Sequence, residues 1–396
     1  MNSSKKIYQE NSYLRTLEAE VLSCNKKDDL YEIILDKTIF YPHMSGGQPK
    51  DEGTINGLKV FNVIEDQDEI IHVVNEPLNG TVSLEIDFET RFDYMQQHTG
   101  QHILSYVFAT LYNGKTVGFH LSSDYTTIDL DISLTNEMIE KVELCSNQII
   151  YDNNKITFQT LPYDEALKLN IRKTPPKLPF LRIMEIEGSD IIACGGTHVK
   201  STGEVGIIKI VKVEKHKTGV RVEFLCGKRA LKDYILKHND ILNLSNILTC
   251  KTDMVLDNFN KMNIENKNLK KNIISLQNEI NEYRAKDLKR NAIVKNNVSF
   301  IFEKLNDYDV KDLRFICSKI IEEENYVTVL ICESELNTSI VLGQSENLNY
   351  DLKNIFEQCK VLLNAKGGGN NKLIQGTGNI LNKGDECLTL VKSMLL

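Results

Sequence analysis

Four residues of this chain have the types and the spacing to hold a transition metal. Cys194 and His198 stand four apart in "ACGGTHVKSTG", and His98 and His102 stand four apart in "MQQHTGQHILSYVFATL". In the second stretch Ile103, Leu104, Val107, Phe108 and Leu111 recur at intervals of three and four, which predicts a helix ending near Asn113 and Gly114. Side chains four apart on a helix lie one turn apart on one face, so both histidines can point at one ion. Three imidazoles and a thiolate are the nitrogen and sulfur set that zinc prefers, and the expectation is one Zn2+ per chain. Each half alone is weak, since a lone cysteine is more often core than ligand. Two roles stay open for the pair of halves. One is a closed four-ligand ion that pins helix to turn; the other is an ion beside a substrate pocket that Thr99, Gln101 and Thr197 supply with polar groups. A metalloprotease is disfavoured, because the glutamate that follows the first histidine of that helix motif is here Thr99.

The whole chain bounds what surrounds these residues. Its 396 residues suffice for two or three domains, each with its own core. No apolar run approaches the roughly 20 residues of a membrane span, and the first residues, "MNSSKKIYQENSYLRTLEAE", lack the apolar centre of a secretory signal. A cytoplasmic protein with no membrane partner is expected. Nine cysteines are scattered singly, which reads as buried small side chains plus one ligand and not as a disulfide framework. The net charge of -8 confines any RNA contact to local patches.

The fold expected is α+β in four parts. Residues 1–90 are strand-rich, with turn signals at Asn56-Gly57 and Asn79-Gly80, and read as a small β-barrel or sandwich. Residues 91–228 form the zinc-containing α+β domain, in which a strand pair around "VGFHLSSDYTTIDLDI", a helix over 136–151 and the strand "KITFQTL" lead to the cysteine turn. Residues 229–292 are a helical, coiled-coil linker. Phe259, Met262, Asn266, Leu269, Ile273, Leu276, Ile280 and Tyr283 alternate three and four apart, with Glu265–Lys270 and Glu279–Arg284 at the spacing of interchain pairs. A parallel homodimer follows as an expectation, against a helical arm packed on its own domain. Residues 293–396 alternate strand and helix as a compact α/β domain.

Three motifs in order, "FYPHMSGGQPKDEG", "MQQHTGQH" and "CGGTHVKSTGEVG", resemble the editing domain of alanyl-tRNA synthetase and of the free-standing AlaX editing proteins, over about residues 10 to 230. The resemblance implies hydrolysis of the ester in alanine tRNA mischarged with serine or glycine, with His98, His102, Cys194 and His198 as the zinc set. It places Gly46, Gly47, Gln48 and Asp51 near the site. Gln48, Thr99 and Asp51 are then the catalytic candidates, Gln48 or Thr99 holding the attacking water and Thr99 sensing the serine hydroxyl. Gly46, Gly47, Gly195, Gly196 and Thr197 are the substrate-binding candidates. No counterpart of an aminoacylation domain precedes the β-rich start, so the chain is expected to edit without charging. No nucleotide-binding motif is present: "NAKGGGNNKLIQGTGN" lacks the Gly-Lys-Ser/Thr ending of a P-loop. That stretch resembles instead the glycine-rich signature of the DHH-associated domain, which in the family helps bind tRNA and dimerise. Lys366, Gly367, Gly368, Gly369 and Lys372 are the candidates for that contact. A zinc-stabilised tRNA-binding protein, or a deacylase for another mischarged tRNA of the threonyl type, are the competing readings.

Overall fold

The computed structural model describes residues 4–43, 47–67 and 69–396. They form two compact units, Met1–Asn243 and Leu244–Leu396, of mixed α+β structure. In the first unit, Thr16–Lys27 and Leu30–Leu35 make the expected hairpin, its turn formed at Asp28 with a φ of 54°. They sit at the centre of a seven-stranded antiparallel sheet ordered 58–59, 53–55, 81–86, 16–27, 30–35, 69–74, 62–66. Strand Thr81–Ile86 alternates exposed and buried residues, so Val82, Leu84 and Ile86 join Ile33, Leu35, Val63 and Ile70 in one core. In place of a closed barrel, the described residues show an open sheet, whose edge strand Leu58–Lys59 is only two residues long.

That core contains a titratable group with no solvent contact. His72 is wholly buried between Thr38, whose hydroxyl lies 2.8 Å from Nε2, and the carbonyl of Ile33, 3.3 Å from Nδ1. Burial pushes its pKa down from 6.5 to about 4, although the Ile33 carbonyl pulls the other way. The unfolded chain therefore binds a proton that the folded one refuses, so stability is intact above about pH 6.5 and falls as the pH drops toward 4. The loss expected is about 3 kcal/mol. Urea midpoints between pH 7.5 and 4 should show it, and His72→Gln should flatten the decline.

Next in the chain comes the helix Phe88–Tyr112. Asp87 caps it by accepting from the backbone of Glu89 and Thr90, and Asn113 ends it in the left-handed conformation where the sequence predicts. Residues 94–105 all lie in the interior: this helix runs through the core between the strands 116–121, 126–130, 219–226 and 208–216 and the helix Asn136–Tyr151. A separate three-stranded sheet, ordered 156–162, 180–186, 191–193, delivers the chain to Cys194.

The second unit is a six-stranded sheet ordered 293–295, 298–304, 326–333, 338–344, 373–378, 365–369, with one parallel pair and helices on both faces. Helix Val310–Ile321 covers one face and helices Leu352–Leu363 and Gly384–Leu395 the other, which is the α/β layering expected. The long helix Val255–Arg290 buries Val255 at its start and otherwise packs through its last turns, by Asn281, Ala285 and Leu288. Its predicted seam is exposed within the chain, from Phe259 at 50% to Tyr283 at 64%. Arg284 reaches Asp287 at 3.1 Å and Glu303 at 3.4 Å, so that member of the expected interchain pairs is engaged within its own chain.

Among the described residues no helix is long and apolar enough to cross a membrane. All nine cysteines are free, and Cys226, Cys317, Cys332, Cys359 and Cys387 are buried, as single scattered cysteines predict.

Candidate functional site

The helix and the cysteine turn meet. One ligand atom from each of His98, His102, Cys194 and His198 lies within 4.8 Å of all the others. Cys194 Sγ is 3.2 Å from Nε2 of His198 and 3.6 Å from Nε2 of His98. The three histidines are buried, and Cys194 faces a cavity of about 390 Å³.

The donors fit a divalent metal on their own chemistry. Both ring nitrogens of buried His102 lack a hydrogen-bond partner, an arrangement costly unless something else occupies a lone pair. Burial, reinforced by the charge of Arg182, drives the pKa of His98 from 6.5 to about 3. Burial first, then their mutual repulsion, also drives His102 and His198 well below the usual range. All three are therefore neutral with lone pairs free to ligate. Burial raises the Cys194 thiol against the hydrogen bond from Gly196 and the charge of Arg182, and a bound cation would reverse that shift.

Groups behind the quartet orient it. The Gln48 amide donates from Nε2 to Thr197 Oγ1 at 2.8 Å, and its carbonyl accepts from the Thr197 backbone at 3.3 Å. That same carbonyl lies 3.0 Å from Nδ1 of His98, so His98 carries its proton there and offers Nε2 inward. Thr99 Oγ1 stands 3.2 Å from Nδ1 of His198 and holds the second ring in place, its hydroxyl able to donate or accept there. Arg182 clamps the turn by donating to the carbonyls of Cys194 and Gly196 at 2.9 and 3.0 Å. Gly196 has to be glycine, because a Cβ there would stand 2.2 Å from the His98 ring. Removing the Gln48 anchor should weaken metal binding by about 10- to 100-fold without abolishing it. Competition of Gln48→Leu against a chromophoric chelator measures this.

Several sequence candidates thus stand in places the sequence does not announce. Gln48, Thr99 and Thr197 are fully buried behind the histidines, outside the cavity lining. Asp51 is buried in an ion pair with Arg91, its Oδ1 2.7 Å from Nε, and accepts from the backbone of Tyr41 at 2.5 Å. Gly195 lines the cavity, Gly47 packs against Phe119, and Gly46 lies outside the described residues. The cavity wall also includes residues that no motif marks: Thr116, Phe119, Arg172 and Lys173. Phe119 stacks on His98 with ring centres 5.2 Å apart. Thr116 Oγ1 and Gln101 Nε2 both donate to Ser105 Oγ, at 2.7 and 2.8 Å, as a short polar chain beside the metal ligands.

The glycine-rich stretch of the second unit is a hairpin and not the loop its composition suggests. Ala365–Gly369 pairs with Leu373–Gly378 at the sheet edge, and a Cβ at Gly367 would meet the Gln375 carbonyl at 2.1 Å. Lys366 is exposed there. Lys372 is occupied, its Nζ donating to the carbonyls of Glu346 and Leu348 at 2.7 Å each.

Residues 181–223, which carry the cysteine turn, match the family described as the threonyl and alanyl tRNA synthetase second additional domain. The alanyl-tRNA editing protein AlaX-L of Pyrococcus horikoshii is 32% identical over 391 residues, covering 94% of each chain. This chain belongs to the alanyl-tRNA editing protein family. The mouse alanyl-tRNA editing protein Aarsd1 is 28% identical, with 97% of this chain and 96% of that one aligned. An alanine–tRNA ligase of Pyrococcus furiosus is 29% identical over 99% of this chain, which spans 44% of the ligase. The family match over residues 181–223 includes the cysteine half-motif, Cys194 and His198, and leaves Arg172 and Lys173 of the cavity wall outside it.

Proposed function

We propose that this protein is an aminoacyl-tRNA deacylase that hydrolyses the ester of alanine tRNA mischarged with serine, and with glycine, and that it does not aminoacylate. The observation that carries the reading is the position of the quartet: His98, His102 and Cys194 form part of the wall of an open cavity and are not sealed in a core. The names of its relatives, alanyl-tRNA editing proteins, point to the same substrate.

Zinc held by His98, His102, Cys194 and His198 would supply a Lewis acid and an anchor for the substrate's polar end. The chain's own residues do the rest. Gln48 and Thr99 act through the rings they hold, Gln48 keeping His98 in the ligating tautomer and Thr99 orienting His198. Asp51 acts at one further remove, through Arg91. Gln101 and Thr116 form the polar end of the cavity, where a serine hydroxyl completes the chain through Ser105. Alanine offers no hydroxyl to complete that chain, a mismatch worth up to about 10⁴ in discrimination in a site built to bind the hydroxyl. Glycine enters by size alone, so its ester is the slower substrate.

In the second unit, Lys366 with Gly367, Gly368 and Gly369 offers an exposed edge strand to the tRNA backbone. Lys372, already bonded to carbonyls, is left to hold the hairpin. The exposed seam of Val255–Arg290 supports a homodimer, which light scattering at rising concentration tests; a monomer throughout sinks it. For the activity, labelled serine released from mischarged alanine tRNA is compared with alanine released from the correct one, with and without chelator. Chelator-sensitive serine release with alanine retained is expected. A zinc-loaded protein that releases neither is a tRNA-binding protein, and one that releases a different amino acid is a deacylase of another tRNA.

A further inference from the structure

The cavity beside the quartet carries a charge asymmetry that ester hydrolysis alone does not require. Arg172 and Lys173 are the cationic arginine and lysine side chains in its wall, and among the described residues no carboxylate lines it, in a chain of net charge -8. The two cations are not equivalent. Arg172 donates Nε and Nη2 to the two carboxylate oxygens of Asp190 at 2.8 and 2.9 Å, and Asp190 is 1% exposed. Its backbone N–H also donates to the carbonyl of Ile191 at 3.0 Å, the residue after Asp190 and the first of the strand that delivers Cys194. Arg172 is therefore neutralised and fixed. Lys173, the next residue, is exposed at the cavity, and among the described residues it has no ion-pair partner.

The segment that carries Lys173 is stiff. Pro175 and Pro176 fix their own φ, and Thr174 before them is confined to extended backbone. Pro175 is buried, and the far end of the segment is tied where Tyr163 donates to the carbonyl of Pro179 at 3.1 Å. A lysine on a mobile surface loop would give up conformational freedom to bind an anion. On a strap tied at both ends less is lost.

We propose that Lys173 binds the phosphodiester on the 5′ side of the substrate's terminal nucleotide, with Arg172 and Asp190 positioning the strap. This rests on the reading that the ester is cleaved beside His98, His102 and Cys194. With the acyl group at the quartet, the ribose and the phosphate that leads to it leave along the cavity wall, and the wall offers one uncompensated cation. A phosphodiester carries one negative charge, which a single ammonium matches without the planar fork that a bidentate contact needs. Lys173 is thus a substrate-positioning residue that enters binding and not the chemical step.

The experiment compares two seryl esters, one on the full tRNA and one on adenosine alone, which has no phosphate. For Lys173→Glu, KM for the tRNA ester should rise about tenfold with kcat held, while KM for the adenosine ester stays unchanged, and Lys173→Arg should restore the tRNA value. The slope of log kcat/KM against log salt for the tRNA should also fall, by about 0.7. An equal change with both esters, or no change with either, overturns the proposal. The salt slope keeps the test decisive even where wild-type protein cleaves the adenosine ester too slowly to measure. Failure of the wild-type protein to cleave either ester refutes the deacylase reading itself, a different outcome from a Lys173→Glu variant that behaves as wild type.

Discussion

His102→Ala is expected to lose bound metal and ester hydrolysis together, with kcat/KM down by about three orders of magnitude or more, while tRNA binding through the second unit stays within about threefold. Its neighbours explain the size of the effect. His102 is the one member of the quartet with no hydrogen-bond partner at either nitrogen, whereas His98 leans on Gln48 and His198 on Thr99. Without metal, the wild-type protein bears the cost of those unsatisfied nitrogens in its interior. Alanine removes them. Metal-free His102→Ala should therefore unfold at the same urea concentration as metal-free wild type or a higher one, although cavity formation offsets part of the gain. Metal content by atomic emission, serine release and urea midpoints on one preparation test all of this. Full activity in a metal-free variant would remove the metal from the mechanism. A large fall in metal-free stability would mean that the imidazole has packing or bonding that its present surroundings do not give it.

The sequence made the quartet legible because metal ligation demands particular residue types at short spacings, and both half-motifs obey that demand. The helix was legible for a related reason: its apolar period survives around the two histidines, and Asn113 marks its end with a left-handed residue. Depth was not legible. Gln48, Thr99 and Thr197 are polar and adjacent to ligands in sequence, which suggests a pocket, yet their hydrogen-bonding capacity is spent on the histidines and on one another. A polar residue next to a ligand either faces substrate or holds the ligand, and only the burial decides. The wall opposite was hidden for the contrary reason. Arg172 and Lys173 lie some twenty residues before Cys194 in a stretch that reads as a proline-rich connection, and pairing of Phe180–Ile186 with Ile191–Ala193 is what brings that connection back to the cavity. Turn signals between β-branched runs mark hairpins and carry no information on whether the first and last strands meet, so barrel closure was not legible either.

Asp51 tests how far a residue can stand from the chemistry and still control it. Asp51→Ala should destabilise the first unit by about 3–5 kcal/mol, because it leaves the Arg91 guanidinium charged and buried with only the carbonyls of Ser12 and Ile39 as partners. The pair joins two elements of the site. Arg91 is on the helix that carries His98 and His102, and Asp51 is three residues beyond Gln48, so the ion pair holds the Gln48 segment against the helix it orients. Activity should fall along with stability and recover with it. The double variant Asp51→Leu with Arg91→Met removes both charges and should regain at least half of the lost stability, since breaking a buried pair costs far more than replacing it with apolar side chains. Its kcat per folded molecule, measured where each variant is fully folded by circular dichroism, should then approach that of wild type. A double variant that is stable and metal-loaded yet inactive would show that the Asp51 carboxylate takes part in the reaction, and would return it to the catalytic role its place in the glycine-rich motif suggests.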